Sequence, residues 1–350
     1  MRSQRGFTRA SALGPIADFV GEQGGSIARV FERADLPLAI LDNPDLPLPL
    51  PEQFKILDEA AREIGCGLAG ARLGQLVRIE QLSAFGRWVS DALTVGGAIN
   101  RSNKGLNRFL QTGTVLALKT GDERVSWSIE FLDPGFNGRF QNELLGVSYL
   151  VDVVRSYLGR SWCPDLIRVT GTEPRQAEAL ETIFGTAVSA GHRVSSIEFD
   201  AGLLAACRSS ATRRPSRTAT LGADILHEQT VPGSAEHVDA VAAMIALAML
   251  EGYPKIDWIA SKLGLTRRTL QRQLATNGVT FSALLEDLMR DRAMGLLGAT
   301  ERPVTEIAYR LGYSDPAHFT RAFRRWADTT PENFRKKALG AGAANGRTAR

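Results

Sequence analysis

Three polar side chains, Arg268, Gln271 and Arg272, stand at i, i+3 and i+4, and a second set, His318, Arg321 and Arg325, stands at i, i+3 and i+7. On a helix each set shares one face, because residues three and four apart are neighbours. Arginine and glutamine form paired hydrogen bonds with guanine and adenine edges in a DNA major groove. The chemistry that fits these spacings is recognition of bases, not the making or breaking of bonds. Arg324, Arg325, Arg335, Lys336 and Lys337 add a basic run. Alone such a run is a solvated face; beside a base-reading helix it becomes a set of phosphate contacts, which fix affinity and register without choosing a sequence. For His318 two readings stand side by side, contact with a base or a capping and space-filling role.

Catalytic patterns are poor by comparison. Gly65-Cys66-Gly67-Leu68-Ala69-Gly70 matches the dinucleotide fingerprint, but the preceding stretch, 52–64, reads as a helix, whereas that motif must follow a strand to aim a helix N-terminus at pyrophosphate. Gly146-Val147-Ser148-Tyr149-Leu150 lacks the second glycine of a nucleophile elbow. With four histidines in the chain, no Ser/His/Asp grouping, carboxylate pair or metal-ligand spacing emerges. Cys66, Cys163 and Cys207 are far apart and read as reduced thiols. The expectation is a chain that is not an enzyme and has neither cofactor nor metal.

The elements that would position the polar sets come in two copies. Ile259-Ala260-x-x-Leu263-Gly264-x-Thr266 recurs 48 residues later as Ile307-Ala308-x-x-Leu311-Gly312-x-Ser314. Each copy has the parts of a helix-turn-helix. Ile and Leu face a core, Ala allows a second helix to approach, and Gly264 or Gly312 ends the helix where a left-handed residue is needed. Leu265 and Tyr313 plug the turn, Thr266 and Ser314 are placed to cap the next helix, and Pro316 sits in its first turn. In the first copy Leu270 and Leu274 point inward; in the second, Phe319, Ala322, Phe323 and Trp326 form the apolar stripe. Between the copies, 280–298 reads as one helix, roughly 28 Å long at ~1.5 Å per residue. A strut of that length holds two recognition helices near the ~34 Å separation of successive major-groove faces.

At the level of the whole chain, 350 residues call for two domains with connectors. Between Lys255 and Lys337 there are 15 Lys and Arg against 9 Asp and Glu, so a basic end with net charge +6 is joined to a body of net −2. The longest apolar run, Val241–Leu250, is about half of a membrane span and reads as a buried helix; the basic N-terminus has no apolar segment after it. The predicted location is the cytoplasm, with no membrane partner. Short helices are expected near 16–20, 27–31, 52–64 and 94–110, an extended proline-rich connector at 36–51, a hairpin at 115–119 and 125–131, a helix at 143–158, a strand at 166–170, a helix at 176–184 and a strand at 194–199. That makes the N-terminal part mixed α+β. Trp127, Phe131, Phe140 and Trp162 are candidates for an effector pocket or, more plainly, for core.

The stretches LGLTRRTLQRQLATNGVTFSALL and PVTEIAYRLGYSDPAHFTRAFRRWADTTPENFR resemble the two halves of the AraC/XylS DNA-binding domain. GLAGARLGQ and AFGRWVSDALTVGGAIN, within 13–207, are similar to the arabinose-binding-like effector domain of the branch that includes ornithine-utilisation regulators. The resemblance implies a multidomain regulator: an effector-sensing and dimerisation domain at 1–207 and an all-α DNA-binding domain at 236–338 with helix-turn-helix units at 256–277 and 304–327; by composition, 208–235, rich in Ser, Thr, Arg, Ala and Gly, reads as a linker and 339–350, mostly Ala, Gly and Arg, as a disordered tail. It carries base reading onto Arg268, Gln271, Arg272, Ala317, His318 and Arg321, with Ala317 offering only a methyl contact. Phosphate contacts fall to Thr266, Arg267, Ser314, Arg324, Arg325 and Lys336. The implied partners are promoter DNA, RNA polymerase, a small-molecule effector and a second copy of the chain, with transcriptional activation as the output. The rival reading is an N-terminal ligand-binding or enzymatic module whose C-terminal bundle makes only protein contacts.

Overall fold

The computed structural model describes residues 5–133, 138–171, 174–208, 230–233 and 236–345. Most of the 208–235 linker lies outside the described residues. The chain forms two compact units, 1–235 and 236–350.

In the first unit the helices are α1 (Ile16–Glu22), α2 (Ile27–Ala34), α3 (Leu50–Glu63), α4 (Ala69–Leu76), α5 (Ser83–Ser90), α6 (Val95–Gly105), α7 (Arg139–Leu158) and α8 (Pro174–Phe184). The small ribbon of β1 (Phe7–Arg9) and β2 (Pro47–Pro49) is antiparallel, with Thr8 opposite Leu48. The main sheet has the order β3 (Thr114–Thr120), β4 (Arg124–Phe131), β7 (Ser195–Asp200), β5 (Leu166–Arg168), β6 (Ala187–Ser189). All its pairings are antiparallel except β5 with β6. On β4 the alternation predicted by period two is realised: Val125, Trp127, Ile129 and Phe131 are buried. They pack with α7, whose Leu144, Val147, Val151 and Val154 are fully or almost fully buried. Burying large apolar side chains at about 1.5–3 kcal/mol each is what holds the helix to the sheet.

Several expectations change. The 36–51 segment is not simply extended: Leu38–Asp42 is a 3-10 turn and Pro47–Pro49 pairs with β1, where the missing proline N–H groups are tolerated on a two-stranded edge. The helix expected over 94–110 is regular only to Gly105 and finishes as a π-helical turn, Leu106–Leu110. In the first unit α4, α5, β1 and β6 had no counterpart in the sequence reading. Trp127 and Phe131 are core residues that also border a small hollow, while Phe140 and Trp162 pack partly buried against that core.

The second unit is all helical among the described residues: α9 (His237–Ala248), α10 (Ile256–Lys262), α11 (Arg267–Thr276), α12 (Phe281–Ala299), α13 (Val304–Arg310), α14 (Pro316–Ala327) and α15 (Pro331–Asn345). The apolar run near Val241 is the buried helix expected, with Val241, Met244, Ile245 and Leu247 inside. The connecting helix α12 starts from Thr280, whose Oγ1 accepts from Ala283 N at 3.2 Å. Helix α15 runs to Asn345 and so extends into the tail expected to be disordered.

Candidate nucleic-acid interface

Both copies of the repeat fold as helix, tight turn, helix. In the first, Ile259 and Ala260 are buried, Gly264 takes φ +63°, and Leu265 N donates back to Ala260 O at 2.8 Å while Gly264 N donates to Ser261 O at 2.9 Å. In the second, Ile307, Ala308 and Leu311 are fully buried, Gly312 takes φ +82°, and Tyr313 N donates to Ala308 O at 3.0 Å. These are glycine-closed helix ends whose last carbonyls are satisfied by the turn itself. The repeated sequence therefore codes a repeated backbone.

The caps of the two second helices differ. Thr266 Oγ1 accepts from Thr269 N at 3.2 Å and starts α11. In the second copy the cap is Asp315, whose Oδ1 accepts from Ala317 N at 2.8 Å, one residue beyond the expected Ser314. Ser314 is exposed and adjacent to that cap. A carboxylate at a helix N-terminus also meets the favourable end of the helix dipole.

Helix α11 buries Leu270 and Leu274 completely and leaves Arg268, Gln271 and Arg272 exposed. Helix α14 buries Phe319, Ala322 and Phe323 and leaves Ala317, His318, Arg321 and Arg324 exposed. All six candidate base-reading side chains are thus on solvent-facing sides of helices whose other sides are locked into the core. His318 Nε2 lies 3.7 Å from Asp315 Oδ2, beside the cap but still exposed. Thr266, Arg267 and Lys336 are exposed as well.

Two of the candidate phosphate-binding arginines have acidic partners. Arg267 is 3.6 Å from Asp257 Oδ2. Arg325 donates from Nε to Glu286 Oε1 at 3.0 Å, and Trp326 Nε1 donates to the same oxygen at 2.8 Å. The Glu286 carboxyl is held below its ordinary range by these hydrogen bonds, from Arg325 first, and Arg325 is correspondingly raised by Glu286. Arg325 therefore faces α12 rather than standing in a free outward row with His318 and Arg321. Arg267, Gln271 and Arg325 line a common groove of about 880 Å³ that also contains Trp258, Phe281 and Tyr313. The sequence reading missed Glu286; its place on α12 became meaningful only once α14 was known to cross that helix.

Within the core, Tyr313, Phe319, Phe323 and Phe334 form a chain of ring contacts with centroids 5.5–5.8 Å apart. It joins the turn of the second copy to α14 and α15. Trp326, expected to be core, is only partly buried and spends its N–H on Glu286.

Comparison with known proteins matches these features. Residues 24–207 fit the family model for the arabinose-binding domain of AraC transcription regulator, N-terminal, and residues 259–337 fit a helix-turn-helix domain. The chain belongs to the AraC family of transcription regulators. Like other members of the AraC family it is a DNA-binding regulator with a mixed α/β N-terminal domain and a helical helix-turn-helix domain. It is 25% identical to the ornithine utilization regulator of Pseudomonas aeruginosa over 92% of this chain and 94% of that one. It is also 25% identical to the transcriptional regulator VirS of Mycobacterium tuberculosis, over 93% of this chain and 96% of that one. Across 97 residues, 26% of this chain and 35% of the relative, it is 39% identical to the transcriptional activator RhaS of Escherichia coli. Among the described residues of this AraC-family chain, no helix is long and apolar enough to cross a membrane.

Proposed function

We propose that this regulator activates transcription in the cytoplasm, as a homodimer that contacts RNA polymerase, when a small-molecule effector occupies the N-terminal unit. Arg268, Gln271 and Arg272 read bases in one major groove, and His318 and Arg321, with a methyl contact from Ala317, read the next. Thr266, Arg267, Ser314, Arg324 and Lys336 hold phosphates, and Arg325 joins them when it leaves Glu286. The observation that carries the assignment is the two-sidedness of α11 and α14: their apolar faces are sealed while every assigned base-reading side chain is exposed. The similarity to RhaS, an activator by name, supports the positive sign of regulation.

The test is binding of the full chain to duplexes selected from a random library. Affinity should fall as salt rises, with a log–log slope of about −0.9 for each phosphate neutralised. Absent or salt-insensitive binding would instead favour a bundle that serves protein contacts. Arg272→Ala should cost about 1–3 kcal/mol on the selected site and relax preference at one base pair. Equal loss on random DNA would reassign Arg272 to the phosphate backbone.

Arg325 has its own check. Glu286→Gln removes the charge that engages Arg325 while leaving Trp326 an acceptor. If Arg325 then turns to DNA, binding at low salt strengthens and the slope steepens by about 0.9, one phosphate's worth. An unchanged slope would leave Arg325 a structural tie between α14 and α12.

A further inference from the structure

Two hollows stand out among the described residues of the N-terminal unit. The smaller, of about 60 Å³, has no charged side chain in its wall and is well under half the size of the ~150 Å³ apolar void that admits benzene. The other is a cleft of about 370 Å³, within the ordinary range of metabolite sites, roughly 300–1,000 Å³. Its charged residues are Arg78, Arg155, Arg160 and Arg208, against only Glu80 and Asp152.

The two carboxylates are already engaged. Asp152 accepts from Arg160 and from Ile79 N. Glu80 is 3.3 Å from Arg208. Among the described residues Arg78 donates to the carbonyls of Val77 and Gln75. Arg155 donates to Trp162 O at 2.8 Å, Gln75 Oε1 at 3.3 Å and Cys163 Sγ at 3.5 Å. Neither has a carboxylate partner among the described residues. The Arg208 guanidinium lies 5.4 Å from the Tyr157 ring centre, and its Nε is buried with no hydrogen-bond partner among the described residues. Burial, with repulsion from Arg160 and Arg155 added, pulls Arg78 below its ordinary value against the opposing pull of Asp152. Among the described residues the cleft thus holds more positive than negative charge.

We propose that this cleft is the effector site and that it takes a small metabolite bearing a carboxylate or phosphate group, with Arg78 and Arg208 as its anion-binding side chains. Guanidinium groups suit either anion through paired, charge-assisted hydrogen bonds. Arg208 is also the first residue of the linker read from the sequence, so an anion held there ties the sensing unit to the start of the connection to the DNA-binding unit. The proposal rests on the effector reading given above and specifies where and by what chemistry it operates.

The experiment is thermal unfolding of the full chain titrated with sodium succinate and, separately, with sodium phosphate, at ionic strength held constant with sodium chloride. A concentration-dependent rise in the N-terminal transition with either anion is the expected result. The stronger of the two distinguishes a carboxylate from a phosphate ligand. Arg208→Gln and Arg78→Gln should each weaken the apparent affinity by about tenfold, the scale of one hydrogen bond to a charged group. Arg208→Gln serves if Arg78→Gln fails to fold. No rise beyond the chloride control, or the same titration in the folded variants, overturns the site. Duplex binding by the same preparations without succinate or phosphate scores the regulator reading separately: salt-sensitive binding with no anion response rejects the cleft alone.

Discussion

Phe323→Ala is expected to remove about 3–5 kcal/mol from the C-terminal unit and, with it, nearly all duplex binding. Phe323 is fully buried, and its ring meets Phe319 at 5.8 Å, Phe334 at 5.5 Å and Trp326 at 6.4 Å. Those neighbours belong to α14 and α15, so the cavity would open where the second recognition helix is fixed to the last helix. Domain stability is typically about 5–15 kcal/mol, so one such loss is a large share of what the unit has. Differential scanning calorimetry should show the C-terminal transition shifted down or abolished while the N-terminal transition stays in place. A C-terminal shift equivalent to less than about 1 kcal/mol would mean that the ring chain is not the anchor of α14. Arg321→Ala provides the contrast: it lies on the exposed side of the same helix, so its effect should appear in DNA affinity with the melting curve unchanged.

The C-terminal half was legible because its information is local and stated twice. The Ile-Ala-x-x-Leu-Gly pattern fixes which helix face is buried and where the chain turns, and both turns take the left-handed glycine that the pattern requires. The misplaced cap shows the limit of reading hydroxyls alone. Ser314 and Asp315 are both good caps, but Pro316 is at the first helical position, which puts the cap immediately before it, at Asp315. That signal was present in the sequence.

The N-terminal half was less legible because its determinants are contacts between distant segments. Helix α4 carries two glycines that look like helix breakers. A Cβ on Gly70 would fall 1.9 Å from Gln141 O, and one on Gly74 would fall 2.0 Å from Ser148 Oγ, so both glycines are there to let α4 lie against α7. The same contact explains the dinucleotide-like fingerprint: its last glycine, Gly70, serves helix packing, and its backbone N–H is taken by Gln141 Oε1 at 2.9 Å. Likewise the prolines of β2 gain their strand role only from β1, some 40 residues earlier in the chain. The candidate base-reading residues, by contrast, needed only helix periodicity to be placed on an exposed face.

Gly312 offers the sharpest test of the turn that aims α14. Its φ of +82° already disfavours any residue with a Cβ, but the space matters more: an added Cβ would stand 2.3 Å from Tyr253 N and 2.6–2.7 Å from the Gly252 and Tyr253 backbone. Backbone cannot rotate aside as a side chain can, so Gly312→Ala must separate the turn from the segment that precedes α10. Gly278, in the same unit, has φ +72°, and a Cβ added there would meet nothing within 4 Å, so its substitution isolates the conformational cost. Gly278→Ala should therefore cost about 1–2 kcal/mol, the left-handed penalty alone. Gly312→Ala should cost about 2–5 kcal/mol, because overpacking of about 1–3 kcal/mol adds to that penalty. Chemical denaturation of the two variants measures the difference directly. Equal losses would show that the 252–253 backbone yields freely, in which case the turn would not be the element that sets the direction of the second recognition helix.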